Sequence, residues 1–422
     1  MAVLTLSSSG TLGDHFPFLA LGRALVKRGH EVRYSAPLYL RPHIEECGME
    51  FRRGRPEMDP ALVKSRPLSF DHWKEERGGR PAVKDEKTDL FAKLEIDNRL
   101  ADLQEAAKGA DMLLCSHLQP VGGLVSKIVD IPWVTICVTP SLYPSPDTAA
   151  ARGHLAKQTV ADHGPAARRF FERMDLLRQS LGMEPIASGN VSLLFESSRV
   201  LLATSPLFGR PAPRPDREII QTGFWLHDPP GWSARRPPED LVRLIAEKPH
   251  PLVMAFSSQP LSEPEAILDV HLVAARSLGR VLIAQAGWAE LRSPRFKEAC
   301  DRHEAYLFPE GPQDWLFSQA GAVITHGGIG TIARALRAGA PLLVEPFGND
   351  QFYNSRQVLS LGAGAAVNPH RLTAEGLARV LAEKVLPEAT RLRVRDGANG
   401  LNATGAIHDA CVKIEQWLER KS

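Results

Sequence analysis

Thr325–Thr331, THGGIGT, packs three glycines into seven residues between the apolar run AGAVI and the segment IARALRAG. AGAVI reads as a buried strand. Ile329, Ile332 and Leu336 recur at i, i+3 and i+7, so a helix follows and HGGIGT sits on the turn between the two. A helix amino terminus offers free N–H groups and the positive end of the dipole, and residues without a Cβ let an anion approach that backbone closely. Phosphate is the natural ligand, with His326 and Thr331 as side-chain donors. The same residues also suit a tight structural turn with a core histidine. No GK[ST] follows and the spacing is not GxGxxG, which takes support from nucleotide hydrolysis and from dinucleotide redox chemistry.

Outward from this turn, PLLVEPF ends in GNDQFYN, placing Asp350 and Gln351 after a strand end, where ligands of open sheets gather. A carboxylate beside an amide suits adjacent hydroxyls, although a solvated turn would use the same residues. Phosphate donors beside hydroxyl acceptors describe a nucleotide sugar. Upstream, LVMAFS, VLIAQAG and AYLFP are further strand candidates with helical segments between them, so a parallel sheet is expected from residue 251 to about residue 400.

The amino-terminal half alternates in the same way. VLTL ends in SSSGTLGD, Pro17 stands where a helix can begin and Gly29 where it can end, and Phe18, Leu21 and Leu25 form its buried stripe. EVRYSAP, ADMLLCS, WVTICVT and RVLLATS are the strands that follow. Two helical stretches are inserted, one with Leu90, Leu94, Leu100 and Leu103, the other with Phe170, Met174, Leu177 and Leu181. Each reads as core packing or as the apolar wall of a cleft. From Pro206 to Pro251 lie ten of the chain's 33 prolines, a density that marks a domain connection. The expected organisation is an α/β chain with domains at 1–205 and 251–400, a linker at 206–250, and a carboxy-terminal helix at 401–422 packing back on the first domain.

At 422 residues, 43% of them hydrophobic, the chain is long enough for two cores. A net charge of +2 favours small or neutral partners over nucleic acid. Five scattered cysteines without a CxxC pair fit reduced thiols and a cytoplasmic setting. No apolar run is long enough for a signal peptide or a membrane span. Neither HExxH, a close His pair nor DxD is present, so no metal site is expected.

HGGIGT, preceded by PQDWLFSQAGAV and followed by ALRAGAPLLVEPFGNDQFYN, resembles the donor-binding region of family 1 glycosyltransferases of the GT-B fold, in their bacterial natural-product and sterol-type branch. GTLGDHFPFLALGRALVKRGHEV is similar to that family's acceptor-side motif, and QTGFWL to its interdomain segment. The resemblance implies two Rossmann-like doubly wound domains facing across a cleft. It also implies an inverting, metal-independent transfer of a sugar from a UDP or dTDP donor, UDP-glucose or a dTDP-sugar, to a hydroxyl of an apolar small molecule. No other cofactor is implied, and the chain is expected as a monomer or weak homodimer. Carried over, His326, Gly327, Gly328, Gly330 and Thr331 surround the diphosphate, with Thr11 and Ser258 assisting. Asp350 and Gln351 hold sugar hydroxyls, and the segment at Pro312 and Gln313 meets the base. Two positions depart from the family: Glu310 stands where many members have a base-stacking Trp, and Arg334 where they have a ribose-binding Glu.

Transfer to a hydroxyl needs a base for the acceptor proton and stabilisation of the charge growing on the diphosphate. Asp14 occupies the position at which plant members carry a catalytic His and several bacterial members an Asp. A free Asp has a pKa of about 3.9, so it acts only if proton transfer accompanies bond breaking or desolvation raises that value. His15 is the competing base, and a helix cap is the structural alternative for Asp14. Ser116 or His117 stands where plant relatives orient their base. Phe70, Trp73, Phe91, Tyr143, Phe170 and Phe171 can line an apolar acceptor pocket beside His117, consistent with a flavonoid, macrolide or sterol aglycone. A nucleotide-sugar epimerase of the same fold and a non-catalytic nucleotide-binding partner protein are the alternatives.

Overall fold

The computed structural model describes residues 1–57, 95–139, 141, 164–186, 194–195, 197–229, 236–257, 259, 261, 263–285, 287, 289, 291–308, 313–348, 350–401 and 405–420. They form two compact units. The first holds the described residues up to His227 and those from Gly405 on; the second holds those between Asp228 and Thr404.

The first unit runs β1 (Val3–Ser7), α1 (Leu12–Lys27), β2 (Glu31–Ala36), α2 (Arg41–Glu46), β3 (Glu50–Arg53), α3 (Ile96–Ala107), β4 (Met112–Ser116), α4 (Gly122–Val129), β5 (Trp133–Cys137), α5 (Gly164–Ser180), β6 (Arg199–Leu202) and β7 (Glu218–Gln221). Among the described residues its sheet has the order β3-β2-β1-β4-β5-β6-β7, every pair parallel. Its central strands are buried, which is why they read as nearly continuous apolar runs rather than alternating ones.

The second unit runs α6 (Glu239–Glu247), β8 (Leu252–Met254), α7 (Pro264–Ser277), β9 (Leu282–Gln285), α8 (Pro294–Asp301), β10 (Ala305–Phe308), α9 (Gln313–Gln319), β11 (Ala322–Thr325), α10 (Ile329–Arg337), β12 (Leu342–Val344), α11 (Gln351–Ser360), β13 (Gly364–Ala366), α12 (Ala374–Val380) and α13 (Glu388–Leu401). Its order is β10-β9-β8-β11-β12-β13, again parallel throughout. In each sheet the strand order reverses once, between β1 and β4 and between β8 and β11. Helices leave the sheet in opposite directions there and open a crevice at the carboxyl ends of the strands.

The final helix, α14 (Ala406–Glu419), clusters with the first unit because Ala410, Ile414 and Trp417 form one buried stripe in that unit's core. Trp417 Nε1 donates to Glu218 Oε2 at 2.9 Å, and Arg28 holds Glu415 with two bonds of 2.7 and 2.6 Å.

Several expectations need correction. Helix α1 begins at Leu12 rather than at Pro17, which lies inside it. The proline-rich stretch 206–250 is not a bare linker: it contains β7, paired with β6, and α6, because Glu218–Gln221 falls in a gap between proline clusters where the backbone can join a ladder. The edge strands β3 and β13 were not anticipated, being short and weakly apolar. Phe170, Phe171 and Met174 are buried in one cluster with Leu103, Leu113 and Val125, so this face of the helix supplies core. Leu90 and Leu94 lie outside the described residues.

Candidate active site

The turn that follows β11 is built by Gly327 and Gly328. Gly327 has φ +99°, and a Cβ there would come 3.0 Å from Val344 Cγ1 and 3.2 Å from Gln351 Cβ, so internal geometry demands this glycine. Gly328 caps α10, and a Cβ on it would press on His326 Nε2. Gly330 is different. It is exposed in the first turn, and a Cβ there would meet nothing within 4 Å. The helix starts at Ile329, earlier than the pattern suggested, and its first backbone bond runs from Ile332 N to Gly328 O at 3.1 Å. The N–H groups of Ile329, Gly330 and Thr331 therefore precede the helical ladder, beside open space.

His326 is buried against Phe256, ring centroids 6.3 Å apart, and its Nδ1 has no hydrogen-bond partner among the described residues. Burial pushes its pKa down to about 4, so at neutral pH it is an uncharged imidazole able to donate one N–H. Thr331 Oγ1 lies 3.2 Å from Ser257 Oγ, across the crevice between β8 and β11. Ser257, with φ +48°, makes this contact; the expected Ser258 lies outside the described residues, as does Pro312.

Asp350 Oδ2 accepts from Asn354 Nδ2 at 2.9 Å, and the same amide donates to the Gly327 carbonyl at 3.0 Å. Asn354, fully buried one turn into α11, thus ties the carboxylate to the glycine turn. The Gln351 amide, expected at sugar hydroxyls, makes bonds within its own loop and to Gln259. Its Oε1 accepts from Phe347 N (2.7 Å) and Gly348 N (3.1 Å), and its Nε2 donates to Gln259 Oε1 at 3.0 Å, so it shapes the loop that presents Asp350. Gln313, the first residue of α9, donates to Gln285 Oε1 at 2.7 Å. Arg334 Nη1 pairs with Asp228 at 2.8 Å and with Asp314 at 3.2 Å, and Arg337 also pairs with Asp314. The position at which many family members carry a Glu thus holds a cation bound by two carboxylates.

In the first unit, the β1–α1 loop lies at the reversal between β1 and β4. Asp14 is the third residue of α1 and is half-buried; its Oδ2 accepts from Thr11 N at 2.7 Å and from Thr11 Oγ1 at 3.3 Å. Both Thr11 groups therefore serve the helix start, the capping role weighed for Asp14. A Cβ on Gly10, at φ +114°, would overlap the Asp14 carboxylate. His15 is fully buried, its Nδ1 2.7 Å from Tyr34 Oη. Burial lowers its pKa to about 3, against a weaker opposing contribution from the Gly10 backbone. Asp14 and His15 share a helical turn rather than an extended loop, and the helix sends His15 into the core. His117 follows β4, its pKa lowered by burial to about 4, with Nδ1 unpartnered among the described residues. Ser116 Oγ accepts from Leu118 N at 3.0 Å.

Phe70, Trp73, Phe91 and Tyr143 lie outside the described residues. Sequence reading missed Ser257, Gln259, Asn354, Gln119 and Arg99. Asn354 had a signal, four residues after Asp350 on a helix; Arg99 had another, an arginine between Ile96 and Leu103 on the apolar face of α3. Among the described residues, no group of three His, Cys, Asp or Glu is placed to hold a metal ion, and no helix is long and apolar enough to cross a membrane.

Residues 311–404 match the erythromycin biosynthesis protein CIII-like, C-terminal domain family. O-mycaminosyltylonolide 6-deoxyallosyltransferase of Streptomyces fradiae is 28% identical, covering 99% of this chain and 98% of that protein. Glycosyltransferase GtfC of Amycolatopsis orientalis is 28% identical with the same coverage of both. Sterol 3-beta-glucosyltransferase of Candida albicans is 26% identical over 92% of this chain, which spans 26% of that longer protein. Among solved structures, the kitacinnamycin glycotransferase superposes with a TM-score of 0.73 at 20% identity, covering 98% of both chains. The calicheamicin glycosyltransferase CalG4 gives 0.71 at 17%, covering 100% of this chain and 99% of that one.

Proposed function

The chain belongs to the family 1 glycosyltransferases of the GT-B fold, and from that premise we propose that it moves a sugar from a nucleotide diphosphate to a hydroxyl of an apolar natural product or sterol-like acceptor. The observation that carries this reading is the first turn of α10, where three backbone N–H groups precede the helical ladder beside the open side of Gly330. Neutral His326 and Thr331 stand at the same turn. That set suits a diphosphate, whose charge meets the helix amino terminus and fixed hydrogen-bond donors. Asp350, held by Asn354, is the acceptor group that this reading assigns to sugar hydroxyls.

In this reading the Asp14 carboxylate takes the acceptor hydroxyl proton as the oxygen attacks the anomeric carbon. The bond from that carbon to the diphosphate breaks, and its electron pair leaves with the phosphate oxygen. Attack opposite the leaving group inverts the anomeric centre. Charge on the leaving diphosphate is met by the N–H groups of Ile329, Gly330 and Thr331 and by His326, which makes the reaction metal-independent. Burial of His15 against Tyr34 supports Asp14 as the base.

A relative in the same fold, the glycosyltransferase VinC, is described in complex with dTDP, which supports testing dTDP beside UDP. The test is calorimetric titration with both nucleotides, followed by mass spectrometry of UDP- and dTDP-sugars against macrolide, flavonoid and sterol acceptors. Acceptor-dependent release of nucleotide diphosphate that survives EDTA is expected. Release without an acceptor would mark an epimerase, absence of release a binding protein, and loss in EDTA a metal-dependent reaction.

A further inference from the structure

Three consecutive serines, Ser7 at the end of β1 and Ser8 and Ser9 in the loop that follows, anchor the lead-in to α1 and Asp14. Ser7 Oγ donates to Ser35 O at 3.2 Å, and Ser8 Oγ donates to Asp14 O at 3.2 Å. Ser9 Oγ accepts from Arg99 Nη1 at 2.6 Å. The same nitrogen donates to Gln119 Oε1 at 3.3 Å, and Gln119 Nε2 returns a bond to Ser7 Oγ at 2.8 Å. Arg99 therefore spans the crevice at the strand-order reversal, joining the loop after β1 to the loop after β4.

Its location is costly. Arg99 projects from the buried face of α3, 3% exposed, where an aliphatic residue would pack against Ile96 and Leu103 without desolvating a charge. Burial lowers its pKa to about 10, which leaves it a cation at neutral pH. A packing role alone does not call for a guanidinium aimed at a serine hydroxyl two residues before Thr11, the N-cap of α1. A rigid fork of N–H donors is what fixes two loops in a single register.

The geometry points to Arg99 as a positioning residue of the transfer reaction, which holds Ser9 and through it the β1–α1 loop and Asp14 at the geometry that proton removal requires. This rests on the reading of Asp14 as the base. A base displaced by about 1 Å loses on the order of 10²-fold in rate, whereas the nucleotide site proposed at α10 is built from groups of the second unit, with the Thr11 groups engaged by Asp14.

The experiment is a double-mutant cycle in the full chain with Arg99→Met and Ser9→Ala, with Arg99→Lys as the conservative variant. Turnover, KM for the nucleotide sugar, UDP and dTDP affinity, and the thermal midpoint are all measured. In Ser9→Ala, which removes one hydroxyl and no charge, kcat should fall about tenfold or more with nucleotide affinity unchanged. The Arg99→Met variant should fall at least as far, the double variant no further, and Arg99→Lys should recover part of the loss. A folded Ser9→Ala with parental kcat, or additive losses in the cycle, would overturn the inference. Turnover retained in Asp14→Asn would instead refute the choice of base, a separate outcome read on a separate variant.

Discussion

Ser257 Oγ and Thr331 Oγ1 stand 3.2 Å apart and link the loop after β8 to the first turn of α10, at the place where the second sheet reverses its strand order. The bond fixes the helix amino terminus relative to the neighbouring loop, so the N–H groups of Ile329, Gly330 and Thr331 hold their direction before any ligand arrives.

The two glycines of this turn separate by substitution. Gly330→Val fills open space and should cut UDP or dTDP affinity by about tenfold or more, a loss of about 1.4 kcal/mol, with little change in thermal midpoint. Gly327→Ala meets Val344 and Gln351 at a positive φ and should lower stability by about 1–3 kcal/mol. Calorimetry and thermal denaturation on both variants decide it: equal nucleotide affinity in Gly330→Val would remove the anion site from α10.

Asp14→Asn keeps an oxygen that accepts from Thr11 N but cannot take a proton, so the helix start should survive while turnover falls about 10²–10⁴-fold. A His15→Phe variant, altering a buried ring away from solvent, should retain most of the turnover and lose stability. Initial-rate assays with matched melting curves test the pair; the reverse ranking makes His15 the base.

Acid should destabilise the first unit through His15. Its pKa is about 3 in the folded chain against an ordinary value near 6.5, so the unfolded chain takes up a proton that the folded chain refuses. The stability is present above pH 6.5 and is lost as pH falls toward 3, at up to about 1.4 kcal/mol per pH unit. His326 and His117 act in the same sense, with values of about 4. Denaturant midpoints from pH 7 to 4 should show a shallower fall in His15→Phe; an unchanged slope would count against burial of a neutral ring.

His271 and Glu345 act with the opposite sign. They are fully buried, His271 Nε2 2.7 Å from Glu345 Oε1, and His271 Nδ1 must donate to the Ile267 carbonyl 2.7 Å away. Burial, the largest single effect, pushes the imidazole pKa down, but the Glu345 charge and the two hydrogen bonds together raise it. This contribution is fully present below pH 6.5 and is lost as pH rises through the raised folded value. Removing either partner alone leaves an uncompensated group and should cost about 3–5 kcal/mol, while a well-packed apolar pair should cost less. Chemical denaturation of His271→Leu, Glu345→Leu and the double variant checks this; additive losses would mean that the two do not form a pair.

Much of the site was legible where it depends on chain neighbours. The strand, turn and helix around THGGIGT follow from periodicity and glycine placement. Pro17 misled: it is the sixth residue of α1, whose start is set upstream by Thr11 with Asp14. Gln351 was assigned to a ligand, yet its amide closes the loop at Phe347 and Gly348, a use that its position after Asp350 does not reveal.

The sequence by itself determined two α/β halves, the chain positions of most strands, and an anion-suited turn before α10, because hydrophobic period and backbone freedom are local properties of consecutive residues. Only the tertiary structure decided that β7 completes the first sheet, which contacts hold α14 to that unit (Trp417 with Glu218, Arg28 with Glu415), that His15 is interior while Asp14 is not, and that Arg99 and Ser257 bridge loops distant along the chain. Those facts depend on which surfaces meet, and burial and hydrogen bonding between residues about 75 to 400 positions apart have no counterpart in local pattern.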